Sequence, residues 1–220
     1  MTEHIFFDLD GTVVNSQEGV INSVIYSLKK LGMPMLSKET LKKFIGPPLV
    51  DSYMKYCGFD RETALKAIEA YRENYRERGL FEYSLYDGVP ELIGLLKAEG
   101  KKVYIATSKP EIFALKILND AGIDAMFDGI FGATLDSSRV KKADVLSYAI
   151  SSLCIEDISK TILIGDTVFD VFGAKEKGIK SLAVTYGYES REELKNANPD
   201  FMVDTPLEIF NALKEKSSVI

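Results

Sequence analysis

The sequence predicts an α/β protein in which a mostly parallel sheet is covered by helices on both faces, with a smaller all-helical segment inserted near the amino terminus. Three observations carry this expectation. From Asp87 onward, apolar runs of strand length alternate with amphipathic helical stretches, the pattern of parallel strands joined by helical crossovers. A lone apolar run, Ile5-Phe6-Phe7, stands far ahead of them at the amino terminus. Between the two, residues 16–83 have helical spacing and almost no strand-like alternation. The chain has 220 residues, 46% of them apolar, which is enough for a core domain and a small accessory one. The expected boundaries are 1–15 with 84–220 for the α/β core and 16–83 for the helical insert.

Taken in order, the first strand runs from Ile5 into Asp8-Leu9-Asp10-Gly11-Thr12. Val20, Val24, Leu28 and Leu31 recur at three and four residues and stop at Gly32-Met33-Pro34, giving the first helix of the insert. A second helix starts at Ser37 and fails at Gly46-Pro47-Pro48, and a third covers Leu49 to Tyr56. Asp60 caps a longer helix through Arg78, with Leu65, Ile68, Tyr71 and Tyr75 as its apolar stripe. Tyr71, Tyr75 and Phe81 are expected in the core of the insert. The core then resumes with helix Val89–Glu99, strand Lys102–Ala106, helix Pro110–Ala121 and a short strand near Ile130–Ala133. Helix Lys142–Leu153, strand Thr161–Ile164, helix Val168–Lys177, strands Ser181–Thr185 and Phe201–Val203, and a carboxyl-terminal helix complete it.

Composition excludes several function classes. A formal charge of -6 argues against a general nucleic-acid binder, because phosphate backbones demand a basic surface. No uncharged apolar stretch is long enough to span a bilayer, and the first residues lack the pattern of a secretory leader, so no membrane partner and a cytoplasmic location are expected. Cys57 and Cys154 lie far apart without a CxxC or His-rich partner, and are expected as small buried hydrophobes rather than a disulfide or zinc site. The lone His4 is expected on the surface.

The residues that a packing account does not require are polar groups at the ends of core strands. Asp8 and Asp10 are two apart on an extended segment and so project together from the strand's carboxyl end, where open α/β sheets bind ligands. Two such carboxylates repel unless a cation lies between them. Thr107-Ser108-Lys109 follows the second core strand, Gly165-Asp166 follows a later one with Asp170 four residues on, and Lys141-Lys142 opens a helix. These form one site if the strands are neighbours.

This ordered set, DxDGT, then Thr107, then a Lys, then Gly165-Asp166-Thr167-Val168-Phe169-Asp170, resembles the haloacid dehalogenase-like superfamily, in particular its phosphoglycolate phosphatase-like branch with a helical cap. The resemblance covers essentially the whole chain. It implies a Rossmann-like doubly wound parallel sheet core with a small inserted all-α cap domain. It also implies a magnesium-dependent phosphatase acting on a small phosphorylated metabolite, phosphoglycolate-like or a nucleoside monophosphate, as a monomer or homodimer. Asp8 is the implied nucleophile, forming an aspartyl-phosphate, and Asp10 the general acid and base. Asp8, the backbone carbonyl of Asp10 and Asp166 are the implied Mg2+ ligands, with Asp170 acting from behind them or through a water. Gly11, Thr12, Thr107, Ser108, Lys109 and Lys142 would hold the phosphate, Lys142 also restraining Asp8; Lys141, its neighbour, stays open as the alternative lysine. Lys43 and Gly46, in the turn Lys43-Phe44-Ile45-Gly46-Pro47-Pro48, are the cap candidates for reading the leaving group, where a rigid helix-to-helix turn is the competing explanation.

Two residues depart from common family spellings: Asn15, where many members have Asp, and Phe169, where a His is frequent. A sugar phosphomutase, a pyrophosphatase of the same fold and a non-catalytic binder of phosphorylated ligands are the alternatives. Asp10 favours phosphoryl transfer over dehalogenation, which needs no acid for an alcohol leaving group.

Overall fold

The structure is a computed structural model and describes residues 2–136 and 138–214. Asn15–Ser84 forms one compact unit, and the chain on either side of it forms the other. The chain enters on β1 (His4–Phe7) and passes through β2 (Val14–Asn15) into α1 (Gln17–Lys30), α2 (Lys38–Lys42), α3 (Leu49–Cys57) and α4 (Arg61–Glu77), returning by β3 (Ser84–Leu85). It continues through α5 (Val89–Ala98), β4 (Lys102–Pro110), α6 (Glu111–Asp120), β5 (Gly129–Ala133), α7 (Lys142–Ser152) and β6 (Thr161–Gly165). The last elements are α8 (Val168–Glu176), β7 (Lys180–Val184), α9 (Arg191–Asn196), β8 (Phe201–Val203) and α10 (Pro206–Lys214). Among the described residues no helix is long and apolar enough to cross a membrane.

Six strands pair in parallel in the order β5-β4-β1-β6-β7-β8, a doubly wound α/β sheet. Counted along the chain within this sheet the order is 3-2-1-4-5-6, so its direction of growth reverses between β1 and β6. Crossovers on either side of that reversal leave a crevice at the carboxyl ends of the two strands. Register sharpens this: Phe7 lies level with Ile105 of β4 and with Ile164 of β6. The residues that follow on all three strands therefore emerge at one height.

The sheet holds because both of its faces are apolar. Phe6, Tyr104 and Leu163 pack with Val145, Leu146 and Ala149 of α7 and Ala174 of α8. Ile5, Phe7, Ile105 and Ile164 alternate with them and are likewise buried. Burying each such side chain contributes roughly 1.5–3 kcal/mol. A run apolar at every position, as Ile5-Phe6-Phe7 is, suits a strand with helices on both sides.

The helical unit rests on α1 packed against α4 and on an aromatic core. Asp60 caps α4 by accepting the Thr63 N–H at 2.8 Å. Phe44 meets Tyr53 edge to face, Tyr53 stacks on Phe59, and Tyr71 stacks on Tyr75.

Several local expectations differ. The second helix of the insert stops at Lys42, because tight turns through Phe44 and Ile45 take over before Gly46, whose φ is 99°. Leu65 is 49% exposed and the inward positions of α4 include Ala64 and Ala67, a rotation of the stripe toward small residues that let α1 approach. Phe81 is 53% exposed at the end of a short 3-10 turn. Cys57 is half-buried at the end of α3, and Cys154 is exposed just past α7 with φ 51°. His4 begins β1, and its ring stacks on Tyr104. Helix α9 was not foreseen, since six residues carry too little periodicity, although Ser190 caps it by accepting the Glu193 N–H.

Candidate active site

The site is assembled from the level ends of β1, β4 and β6 together with the amino terminus of α7. Asp8 follows β1 directly, and its N–H donates to the Ile164 carbonyl at 2.8 Å, tying the start of the loop to β6. Gly11, with φ 84°, then turns the chain back so that its N–H reaches the Val14 carbonyl at 2.8 Å. The sequence places Asp8 and Asp10 side by side, and the structure gives each its own lysine. Lys142 Nζ lies 2.7 Å from Asp8 Oδ1, and Lys109 Nζ lies 2.9 Å from Asp10 Oδ1.

Lys142 is the more deeply set of the two, with 3% of its side chain exposed. It also lies 2.8 Å from Asp170 Oδ1 and donates to the Ala106 carbonyl at 2.9 Å. The Ala106 contact is a hydrogen bond, whereas Asp8 and Asp170 meet the ammonium as ion-pair partners. Lys141, one residue earlier, is exposed. Gly173 on α8 explains how a lysine fits here: a Cβ on it would stand 2.7 Å from Lys142 Cγ. Gly165 does the same for Asp170, whose Cγ would lie 2.2 Å from an added Cβ. Asp170 Oδ2 accepts from the Thr167 N–H at 3.1 Å and its hydroxyl at 2.8 Å, the capping box that starts α8. Asp170 is thus held at both oxygens.

Asp166 is fully buried and accepts from neutral donors: the Thr12 hydroxyl at 3.2 Å and the Tyr188 N–H at 2.8 Å. Oxygens of Asp8, Asp166 and Asp170 lie within 4.8 Å of one another. Burial pushes the Asp8 carboxyl up to about 6, Lys142 opposing and Asp170 reinforcing the shift. Burial also raises Asp166 well above the ordinary carboxylate range, with Asp170 and Asp8 adding to it. Lys142 feels burial in the opposite sense, yet Asp170 and Asp8 together hold its ammonium above the usual lysine range. Three buried carboxylates, two of which, Asp8 and Asp166, are pushed toward the protonated form, make a hard, all-oxygen donor set. Such a set fits a small divalent cation like Mg2+.

Of the other expected residues, Thr107 is buried and its hydroxyl oxygen accepts the Lys109 N–H at 3.2 Å. The β4 register slips between Thr107 and Pro110, which keeps Thr107-Ser108-Lys109 on the strand rather than in the loop expected after Ala106. The partner found for Thr12, and the close neighbour found for Gly11, is Asp166. Lys43 and Gly46 belong to the helical unit, both exposed, with the Lys43 ammonium 6.0 Å from the Tyr56 ring centre. Sequence reasoning missed Gly173, Thr167 and the loop after β7. Thr167-x-x-Asp170 had the spacing of a cap and could have been read so.

Comparison with known proteins shows the family and the fold. A family model described as haloacid dehalogenase-like hydrolase matches residues 5–184. A protein named 5'-nucleotidase from Pseudomonas aeruginosa is 37% identical over 89% of this chain and 88% of its own length. The tyrosine-protein kinase PtkA of Mycobacterium tuberculosis is 36% identical over 84% of this chain and 62% of its own length. The crystal structure of a predicted phosphatase from Clostridium acetobutylicum superposes with a TM-score of 0.93 at 41% identity, covering 98% of this chain and 99% of that one.

Proposed function

The chain belongs to the haloacid dehalogenase-like hydrolase family, and we propose that it is a magnesium-dependent phosphatase that hydrolyses a small phosphomonoester through an aspartyl-phosphate on Asp8. One observation carries the reading: two carboxylates two residues apart have separate lysine partners, Asp8 with Lys142 and Asp10 with Lys109. The pairing suits two different roles.

Lys142 holds Asp8 Oδ1, so Oδ2 is the oxygen that attacks phosphorus. The bond from phosphorus to the leaving oxygen breaks as the bond to Asp8 forms, and Asp10 gives its proton to the departing alkoxide. Lys109 turns from Asp10 to the phosphoryl oxygens as substrate arrives, leaving Asp10 able to carry that proton. Thr107 and Ser108 offer further donors to the same oxygens. Asp10, now a carboxylate, takes a proton from water; the water attacks phosphorus, the bond to Asp8 breaks, and inorganic phosphate leaves. Asp8 and Asp166, with the Asp10 carbonyl, would hold Mg2+, and Asp170 would steady Lys142 beside them. The cation supplies neutralisation of phosphate charge, the dominant need in phosphoryl transfer.

The substrate class we favour is a nucleoside monophosphate or a phosphoglycolate-like acid, supported by the 5'-nucleotidase name of a relative and by the sequence resemblance. Lys43 and Gly46 are our candidates for reading the leaving group. Relatives on the same core carry the names of a nucleotidase and of a kinase, so the acceptor of the phosphoryl group is the point to test. Phosphate release from a panel of nucleotides, phosphoglycolate, sugar phosphates and pyrophosphate is measured with magnesium or chelator, for wild type and Asp8→Asn. Turnover that needs both magnesium and Asp8 is the expected result. Phosphoryl transfer to a sugar or protein hydroxyl without phosphate release would make the protein a transferase, and binding without any turnover would make it a phospho-ligand binder.

A further inference from the structure

The loop that follows β7 lies outside every motif of the sequence, yet it meets Asp166 twice. The Tyr188 N–H donates to Asp166 Oδ2 at 2.8 Å. At Gly187 an added Cβ would stand 2.2 Å from Asp166 Cβ and 2.4 Å from its Oδ2. Gly187 is not in the left-handed region, so space and not backbone conformation excludes a side chain. Gly11 approaches from its own side, an added Cβ lying 2.0 Å from Asp166 Oδ2. The buried carboxylate therefore stands in a slot between two stretches of bare backbone. Tyr186 completes the frame by donating from its hydroxyl to the Thr12 carbonyl at 2.9 Å, and Thr12 in turn donates to Asp166 Oδ1. Its ring is braced by Tyr86, the centroids 4.8 Å apart.

We propose that Tyr186, Gly187 and Tyr188 are positioning residues: the loop after β7 locks Asp166 in the orientation that takes Mg2+. This rests on the assignment of Asp166 as a ligand made above. Magnesium demands near-ideal octahedral geometry with short bonds to oxygen, so a ligand displaced by a few tenths of an ångström loses affinity. Changes in the groups that orient a ligand typically weaken metal binding about 10–100-fold.

The test is calorimetric titration of magnesium alone into the full chain. Gly187→Ala is expected to bind magnesium about 10–100-fold more weakly while keeping its circular dichroism and cooperative unfolding. Tyr186→Phe should weaken it less, in the same direction. Gly94→Ala, where an added Cβ meets nothing within 4 Å, serves as the control and should bind as wild type does. In turnover, the magnesium concentration for half-maximal rate should rise in Gly187→Ala while the substrate KM at saturating magnesium holds, a split that general loosening would not produce. Wild-type magnesium affinity in both loop variants overturns the proposal. If Gly187→Ala does not fold, Tyr186→Phe decides alone. If Asp166→Asn binds magnesium as tightly as wild type, the ligand assignment itself fails and the proposal falls with it.

Discussion

The two units of this chain handle charge in opposite ways. In the helical unit ion pairs lie on the surface: Lys66 with Glu62, Arg72 with Glu69 and Lys30 with Glu73. Its interior is aromatic and its buried polar groups are neutral, as where the Ser27 and Tyr53 hydroxyls meet. In the α/β unit the contacts of Lys142 with Asp8 and Asp170 are sunk at the end of the sheet. Buried ion pairs are poor stabilisers, since desolvation consumes most of the Coulombic gain. A fold that keeps such a cluster where an apolar core would serve gives up stability for reactivity. The difference teaches where chemistry is to be sought: at the cluster of charges that is buried, in the α/β unit.

That contrast is open to direct attack, beginning with its most severe consequence. Asp8→Asn should lower phosphate release on the order of 10⁴-fold, with the fold intact by circular dichroism, as loss of a nucleophile does. Lys142→Ala leaves Asp8 and Asp170 buried beside each other without their cation. It should cost about 3–5 kcal/mol in urea unfolding at neutral pH, and a loss under 1 kcal/mol would show that the buried carboxylates do not depend on their cation.

The pH dependence of the metal-free protein sharpens the same point. Asp8 titrates at about 6 when folded against an ordinary 3.8, so between those values the folded chain holds more protons than the unfolded one. By linkage its contribution to stability falls as pH rises through that window and is level above it. In chelator, wild-type stability measured relative to Asp8→Asn should therefore drop from pH 4 to pH 6. A rise across the same range would mean that Lys142 wins over burial.

Effects in the helical unit should be smaller. Tyr53→Phe removes a buried neutral hydrogen bond to Ser27 and should cost about 1 kcal/mol by denaturant unfolding. Lys66→Ala, which breaks an exposed pair on α4, should change stability by less than about 0.5 kcal/mol. A cost as large as that of Lys142→Ala at either position would erase the distinction between the two units.

How far all this could be read in advance depended on how local the signal was. The alternation after Asp87 placed the crossover helices and the parallel sheet, because a strand buried on both faces must be apolar at successive positions. The short elements escaped: α9 and the linking strands β2 and β3 have too few residues to show a period. Leu65 misled because helical spacing gives a stripe's width but not its rotation against a neighbour. Asp8, Asp10, Asp166 and Asp170 were visible as carboxylates following apolar runs, and their grouping required only that the strands be neighbours. Family resemblance points to Lys142 with Lys141 as the alternative, and adjacent residues at a helix start differ only in the direction they face, which the structure gives as Lys142 toward Asp8.

By itself, then, the sequence determined the fold class, the order of its elements and the residue types with the capacity for phosphoryl chemistry, because hydrophobic period and the chemistry of side chains are properties of the chain. Only the tertiary structure decided partners. It set Lys142 against Asp8 and Asp170, Lys109 against Asp10, and Gly173 and Gly187 where neighbouring side chains leave no room for a Cβ. Those contacts join residues far apart in the chain, and distance in space is fixed by packing and register, which no local window of sequence contains.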